Sequence, residues 1–169
     1  MMQKPCDVLV VDDDENVREM FRMTLEDSGF RVTLADCGEA AVREARENQP
    51  DVAVIDLILE DLPGLAVMNE LKRLNRFTEC VVVTGKAPEE SAVSAAKLGA
   101  FTYLMKPCHP LQLVLSVQRA RQRGHLQRSL ELCESALAAA TERSDSCLLL
   151  VTDIGLVAAA NEPACAFLK

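Results

Sequence analysis

The sequence lacks the features that mark membrane, secreted and zinc-binding proteins. No apolar run among its 169 residues approaches the length of a membrane span. Asp7 interrupts the short apolar start, where a signal peptide needs a continuous apolar core. The seven cysteines include no Cys-x-x-Cys pair, and no histidine lies at zinc-ligand spacing from them. We therefore expect a cytoplasmic protein with reduced, mostly buried thiols and no membrane partner.

Basic residues are also scarce. The chain holds 18 Lys and Arg against 26 Asp and Glu, a net charge of -8. Because nucleic acid demands a basic surface, we expect no direct contact with it. Residues 1–110 contain 12 basic and 20 acidic residues, whereas residues 111–169 contain 6 of each, so the first part carries the whole excess of acid. Apolar residues make up 49% of the chain, which is enough for a folded core.

Short apolar runs alternate with helical patterns over the first part of the chain. Five β-then-α units in a row predict an α/β fold, a parallel sheet with five helices on its two faces. Right-handed crossovers favour the flavodoxin-like, doubly wound strand order 2-1-3-4-5, which places the first and third strands side by side. The fifth helix is expected to begin at Pro110 and to lead into a C-terminal helical extension. The third helix is expected to bury one apolar stripe, Leu65, Met68, Leu71 and Leu74.

Polar side chains follow four of the predicted strands. Asp12 and Asp13 follow the first strand and Asp56 follows the third, while Thr84 ends the fourth and Lys106 follows the fifth. The carboxyl ends of parallel strands meet at one edge of a sheet, so these side chains should converge. Carboxylates that lie close together raise each other's pKa or recruit a cation, and an all-oxygen site suits Mg²⁺. The pattern predicts a metal-dependent phosphoryl centre.

This ordered set of an acid pair, an acid, a threonine and Lys-Pro resembles the receiver domain of two-component response regulators. The resemblance covers about residues 4–123. It implies that Asp56 accepts a phosphoryl group from a histidine kinase or phosphotransfer protein. It also implies Mg²⁺, or Mn²⁺, held by the carboxylates of Asp13 and Asp56 and the backbone carbonyl of Ile58, with Asp12 acting through water.

Three further roles come from the same resemblance. Lys106 would pair with one phosphoryl oxygen, and Thr84 would donate its hydroxyl to another. Tyr103 occupies the position of the aromatic residue that turns inward when the threonine moves. From the sequence alone, ordinary half-buried packing of Tyr103 explains its position equally well.

The chain departs from the usual receiver pattern after the acceptor. Glu60 stands where many receivers carry proline, so the geometry of that loop is open. Ile58 and Lys86 occupy positions that flank the path of attacking water in this family. We expect them to slow hydrolysis of the acyl phosphate.

Beyond Pro110 the apolar residues change their spacing. They recur at alternating intervals of four and three residues, which is typical of a short coiled coil. These residues are Leu126, Leu130, Cys133, Leu137 and Ala140. An amphipathic helix that packs on its own domain is an equal alternative, and Gly124 could end the helix first. A basic stretch is interpreted as a solvated helix face rather than an anion site: Arg119, Arg121, Arg123 and Arg128.

The last residues read as a strand, an Asp/Gly turn, a second strand and an Asn-led helix start, over 147–162. This pattern resembles the opening of a PAS sensor domain. Because the chain ends at Lys169, we expect a fragment of a longer protein and assign this part no ligand. The predicted organisation is a receiver over 1–123, a helical linker over 124–145 and a PAS-like start over 146–169.

Three classes of function remain in competition. The favoured one is a phosphoacceptor switch that homodimerises through the fourth and fifth helices and the linker. We expect it to catalyse only its own phosphorylation and dephosphorylation, so it is not expected to be an enzyme in the wider sense. Aspartyl phosphatases of the haloacid dehalogenase type also use Mg²⁺ and an Asp nucleophile. They need an acid two residues after that Asp, where this chain has Ile58. The third class is a pseudo-receiver that serves only for docking or dimerisation.

Overall fold

Five strands and five helices alternate along the first part of the chain. The computed structural model describes residues 5–85, 89–142, 149–151 and 157–160. The strands of the main sheet are β1 (Asp7–Val11), β2 (Arg31–Ala35), β3 (Val52–Ile55), β4 (Glu79–Thr84) and β5 (Thr102–Met105). The helices are α1 (Glu15–Glu26), α2 (Gly38–Asn48), α3 (Gly64–Leu74), α4 (Glu89–Lys97) and α5 (Pro110–Glu142).

The main sheet is entirely parallel, with strand order β2-β1-β3-β4-β5. Val11 at the end of β1 pairs with Ile55 at the end of β3, so these two strands finish at the same level. All residues of β3 and β4 are buried, as expected for strands covered by helices on both faces. The predicted flavodoxin-like α/β fold is confirmed.

Apolar side chains pack on both faces of the sheet. One core includes Ala41 and Ala45 of α2 with Met68 and Leu71 of α3. The other includes Phe21 and Leu25 of α1, together with three residues of α5, Leu113, Val117 and Ala120. The predicted stripe of α3 is partly wrong, because Val67 is fully buried whereas Leu74 is 36% exposed.

Helix α5 does not end at Gly124. A Cβ atom at this position would lie 2.8 Å from the carbonyl oxygen of Phe77, so the glycine permits a close approach of helix and backbone. The fully buried carboxylate of Glu79 lies next to it, 3.4 Å from Arg123 and 3.4 Å from Lys72. Arg123 therefore pairs with a buried acid, while its side chain stays 45% exposed to solvent.

The chain divides into two compact units, Met1–His125 and Leu126–Lys169. The second unit contains two short antiparallel strands, β6 (Leu149–Val151) and β7 (Val157–Ala160). Their connecting turn and the predicted Asn161 helix start lie outside the described residues, and so does Lys86. None of the helices in the described ranges has the length and apolar character needed to cross a membrane.

The five described cysteines are free. Cys6 and Cys80 are buried, and burial raises the pKa of each thiol to about 12. Cys37 and Cys108 are partly buried. Cys133 is exposed and departs from the expectation that the thiols are mostly buried.

Candidate functional site

The ends of four strands bring the predicted polar side chains to one edge of the sheet. Asp12 and Asp56 directly follow the paired residues Val11 and Ile55, at the ends of β1 and β3. Thr84 pairs with Met105, so Thr84 and Lys106 lie on the last two strands at the same edge. The backbone N–H of Lys106 donates to the carbonyl of Thr84 at 2.9 Å. The parallel register thus places acids, hydroxyl and ammonium together.

Three carboxylates cluster at this edge. Asp12, Asp13 and Asp56 each offer a carboxylate oxygen within 4.8 Å of the others. Asp12 is 1% and Asp56 7% exposed, whereas Asp13 is open to solvent. Burial raises the pKa of the Asp12 carboxyl above its ordinary value, although Lys106 opposes the shift. This set of hard oxygen donors, with one ligand open to solvent, fits a divalent cation such as Mg²⁺.

Lys106 neutralises part of this negative charge. Its ammonium donates to Asp12 and, at 2.6 Å, to Asp56. Burial alone would lower the pKa of Lys106, but these two hydrogen bonds outweigh burial and raise it. The lysine is therefore charged at neutral pH and lies within reach of any group attached to Asp56.

The two carboxylate oxygens of Asp56 have different partners. Oδ2 accepts from Lys106, and Oδ1 accepts from the backbone N–H of Ile58 at 3.0 Å. The side chain of Ile58 is 55% exposed, so this part of the loop between β3 and α3 is held by backbone contacts more than by burial of Ile58. One oxygen of Asp56 is therefore held by the loop and the other by the Lys106 ammonium.

The two predicted switch residues occupy neighbouring strands. Thr84 is fully buried at the end of β4. Tyr103 pairs with Val82 and is half-buried against the core cluster that includes α2 and α3. Burial, and secondarily the charge of Asp56, raise the pKa of the Tyr103 hydroxyl.

Three other residues support the site and were not singled out from the sequence for it. Arg18 of α1 donates to the backbone carbonyl of Asp12 at 2.7 Å. Asp61 accepts hydrogen bonds from the first residues of α2. Gly64 begins α3 against the backbone of Asp56, where no Cβ atom fits. Pro63-Gly64 is a turn signal visible in the sequence, whereas the contact of Asp61 joins segments that are 23 residues apart and leaves no local signal.

Chemically, the site offers a buried carboxylate, an ammonium that binds it and an acidic cluster that fits a divalent cation. Phosphoryl transfer depends mainly on positioning and on neutralising charge. A carboxylate that faces an anionic donor at ~4 Å is opposed by about 4 kcal/mol for each charge pair at an effective dielectric near 20. Positive charge beside Asp56, such as that of Lys106, would reduce this opposition.

Known proteins match most of this chain in sequence. The regulatory protein AtoC of Escherichia coli K12 is 31% identical over 131 residues, which are 78% of this chain and 28% of that protein. The alkaline phosphatase synthesis transcriptional regulatory protein PhoP of Bacillus subtilis is 34% identical over 122 residues, 72% of this chain and 49% of that protein. The chain spans about a quarter to a half of the length of the curated relatives that it matches.

A solved structure and a family model cover the same part of the chain. The crystal structure of a response regulator receiver domain protein from Clostridium thermocellum is 28% identical, with a TM-score of 0.69 over 72% of this chain and 98% of that one. The family model for the response regulator receiver domain matches residues 8–118. This chain therefore belongs to the response regulator receiver domain family.

Proposed function

We propose that this chain is a phosphoacceptor switch in which Asp56 receives a phosphoryl group from a histidine kinase or phosphotransfer protein. The observation that carries the proposal is the cluster of Asp12, Asp13 and Asp56 around the ammonium of Lys106. An oxygen of Asp56 attacks phosphorus, and the bond from phosphorus to the donor's imidazole nitrogen breaks. The product is an acyl phosphate on Asp56, and the electron pair leaves with the imidazole.

Each site residue would have a separate role in this transfer. Asp13, Asp56 and the Ile58 carbonyl would hold Mg²⁺, or Mn²⁺ in its place, with Asp12 acting through water. When bound, the metal supplies positive charge that offsets the acid cluster and the incoming phosphate. Lys106 would move from Asp56 to a phosphoryl oxygen, and the Thr84 hydroxyl would donate to another.

The signal would leave the site through β4 and β5. We propose that Thr84 moves toward the phosphoryl group and that Tyr103 then turns inward, so phosphorylation biases an existing two-state equilibrium. Three apolar side chains near these strands are exposed: Met105 at 53%, Leu111 at 59% and Leu115 at 42%. They would contribute to a homodimer interface on the face of α4, β5 and α5.

Helix α5 would carry the signal onward. We propose a receiver over 1–123, a helical linker over 124–145 and a PAS-like start over 146–169. The linker proposal is supported by the exposure of Leu126 at 64% and Leu130 at 61% in a helix that continues to Glu142. Exposed leucines at heptad spacing favour a coiled coil with a second copy. The absence of direct nucleic-acid contact stays a prediction, since PhoP is named as a transcriptional regulatory protein. Cytoplasmic location stays a prediction as well.

The experiment that tests the function is phosphorylation by a small phosphodonor, followed by measurement of the intact mass. The protein should gain the mass of one phosphoryl group in the presence of Mg²⁺ and none in EDTA. A gain that is equal in EDTA would contradict the role of the metal. No gain under either condition would support a docking module without phosphoacceptor activity.

Replacing Lys106 by Met should destabilise the protein when no divalent cation is present. The change leaves two buried carboxylates without their shared ammonium, and breaking a buried ion pair costs about 3 kcal/mol in free energy of unfolding. Urea unfolding in EDTA measures this loss, and added Mg²⁺ should recover part of it. Lys97→Met, at an exposed lysine, is the control. Equal stability of the two variants would contradict the assignment of Lys106 as the cation of the site.

Replacing Leu130 by Glu should dissociate the proposed dimer. Leu130 lies on the predicted seam, and a charge there would oppose pairing of two copies. Leu132→Glu is a matched control, because Leu132 is 65% exposed and lies off the seam. Sedimentation equilibrium should give a dimer mass for the wild type and the control and a monomer mass for Leu130→Glu. A monomeric wild type would remove the coiled-coil proposal.

A further inference from the structure

Helix α2 receives its N-terminal cap from a distant segment. Its own preceding residue, Cys37, makes no side-chain hydrogen bond to the helix. Instead Asp61, in the loop between β3 and α3, uses both carboxylate oxygens. Oδ1 accepts from the N–H of Gly38 and Oδ2 from the N–H of Glu39, each at 2.8 Å. The first N–H groups of a helix have no partner within the helix, so a charged acceptor there makes strong contacts.

Close packing accompanies these hydrogen bonds. A Cβ atom at Gly38 would lie 2.8 Å from the side chains of both Leu62 and Val67, and 3.2 Å from Oδ1 of Asp61. The start of α2 therefore presses directly against the loop, and a larger residue at position 38 would push it away. The hydrogen bonds of Asp61 to Glu39 and Gly38 also lower the pKa of the Asp61 carboxyl, so it is charged at neutral pH.

The loop that Asp61 tethers is the one that carries Asp56. Its two ends meet where the N–H of Gly64 donates to the carbonyl of Leu57 at 2.9 Å. Ile58 lies between these ends. Its N–H donates a hydrogen bond to Asp56, and its side chain is exposed. Asp61 ties this loop to a separate helix, three residues beyond Ile58 in the chain.

We infer that Asp61 is a positioning residue for the phosphoacceptor loop: by binding the start of α2 it fixes the segment that presents the Ile58 carbonyl beside Asp56. This inference rests on the proposed function, in which that carbonyl is a ligand of Mg²⁺. Glu60 occupies the place where many receivers carry proline, so this chain lacks a ring that would stiffen the loop at that point. The hydrogen bonds of Asp61 restrict the loop instead.

The test is the dissociation constant of Mg²⁺ for the full, unphosphorylated chain, measured by isothermal titration calorimetry. Asp61→Ala removes both hydrogen bonds and should weaken Mg²⁺ binding by about tenfold, as expected when a residue that orients a metal ligand is lost. Asp61→Asn keeps one acceptor oxygen and should lie between the wild type and Asp61→Ala. The Asp61→Asn variant also allows the measurement if Asp61→Ala fails to fold.

Two controls separate positioning from charge and from helix stability. Glu60→Gln removes the neighbouring negative charge but leaves the Asp61 contacts, and Arg43→Gly weakens α2 at an exposed interior position. Both should bind Mg²⁺ within about twofold of the wild type, a difference well below the tenfold loss expected from mispositioning a ligand. If Asp61→Ala and Asp61→Asn lower the melting temperature but leave the Mg²⁺ constant unchanged, Asp61 is only a cap of α2 and the inference is overturned. A wild type that binds no Mg²⁺ would overturn the metal site itself.

Discussion

The Asp56→Asn protein should gain no phosphoryl group under conditions that fully modify the wild type. An amide has no anionic oxygen that can attack phosphorus, whereas its shape matches the carboxylate. The amide oxygen of this variant would still accept the hydrogen bond from the Ile58 N–H, so the loop should keep its conformation. Intact mass after treatment with a small phosphodonor and Mg²⁺ measures the effect.

The control for this prediction is another acid of the same chain. Asp27 lies exposed at the end of α1, away from the strand ends that form the site. Asp27→Asn should be phosphorylated as the wild type is. If Asp56→Asn gained a phosphoryl group at a comparable rate, a different residue would be the acceptor.

Gly64→Ala should cause the largest loss of stability among single changes near the site. The added Cβ would overlap the carbonyl oxygen of Asp56 and lie 2.7 Å from Cα of Leu57. Both are backbone atoms that cannot move aside without shifting the loop between β3 and α3. We expect a loss of about 3 kcal/mol or more in free energy of unfolding, the upper part of the range for overpacking. Urea unfolding measures it.

Gly85→Ala is the matched control for this prediction. A Cβ at Gly85 would lie 3.8 Å from Cβ of Lys106, an ordinary contact, although this glycine also lies at the edge of the site. Its stability should stay within about 1 kcal/mol of the wild type. If both alanine variants were equally stable, the tight packing of Gly64 on Asp56 would be refuted.

The sequence predicted the strand order and the meeting of the site residues because both follow from local patterns. Apolar runs that are buried on both faces mark parallel strands, and a polar residue that ends such a run lies at the carboxyl edge. This argument alone predicts that Asp12, Asp56 and Lys106 lie together, and the structure places Lys106 in contact with both acids. Their chemical roles are not settled by position and stay predictions until they are measured.

Two contacts that the sequence did not predict join segments that are distant along the chain. Asp61 lies in a run whose composition is typical of a turn, Asp61-Leu62-Pro63-Gly64, yet its carboxylate caps α2. Gly124 was a candidate helix end, but its lack of a side chain lets α5 approach the carbonyl of Phe77. A glycine and an acid each have several structural uses, and only the three-dimensional neighbours decide among them.

The apolar stripe of α3 shows a second limit. Leu74 fits the helical period, but it lies in the last turn and is 36% exposed, whereas Val67 is fully buried. Val67 packs near Gly38 of α2, so the neighbouring helix widens the buried face in that direction. Periodicity gives the direction of a buried face, while its width depends on what packs against it.

The measurement that tests the central claim most directly is identification of the phosphorylated residue. The protein is treated with a small phosphodonor and Mg²⁺, the acyl phosphate is reduced with borohydride to homoserine, and the modified peptide is sequenced by mass spectrometry. Our account predicts homoserine at position 56 and aspartate retained at positions 12 and 13. Homoserine at either of those positions, or at none, would contradict the assignment of Asp56 as the phosphoacceptor.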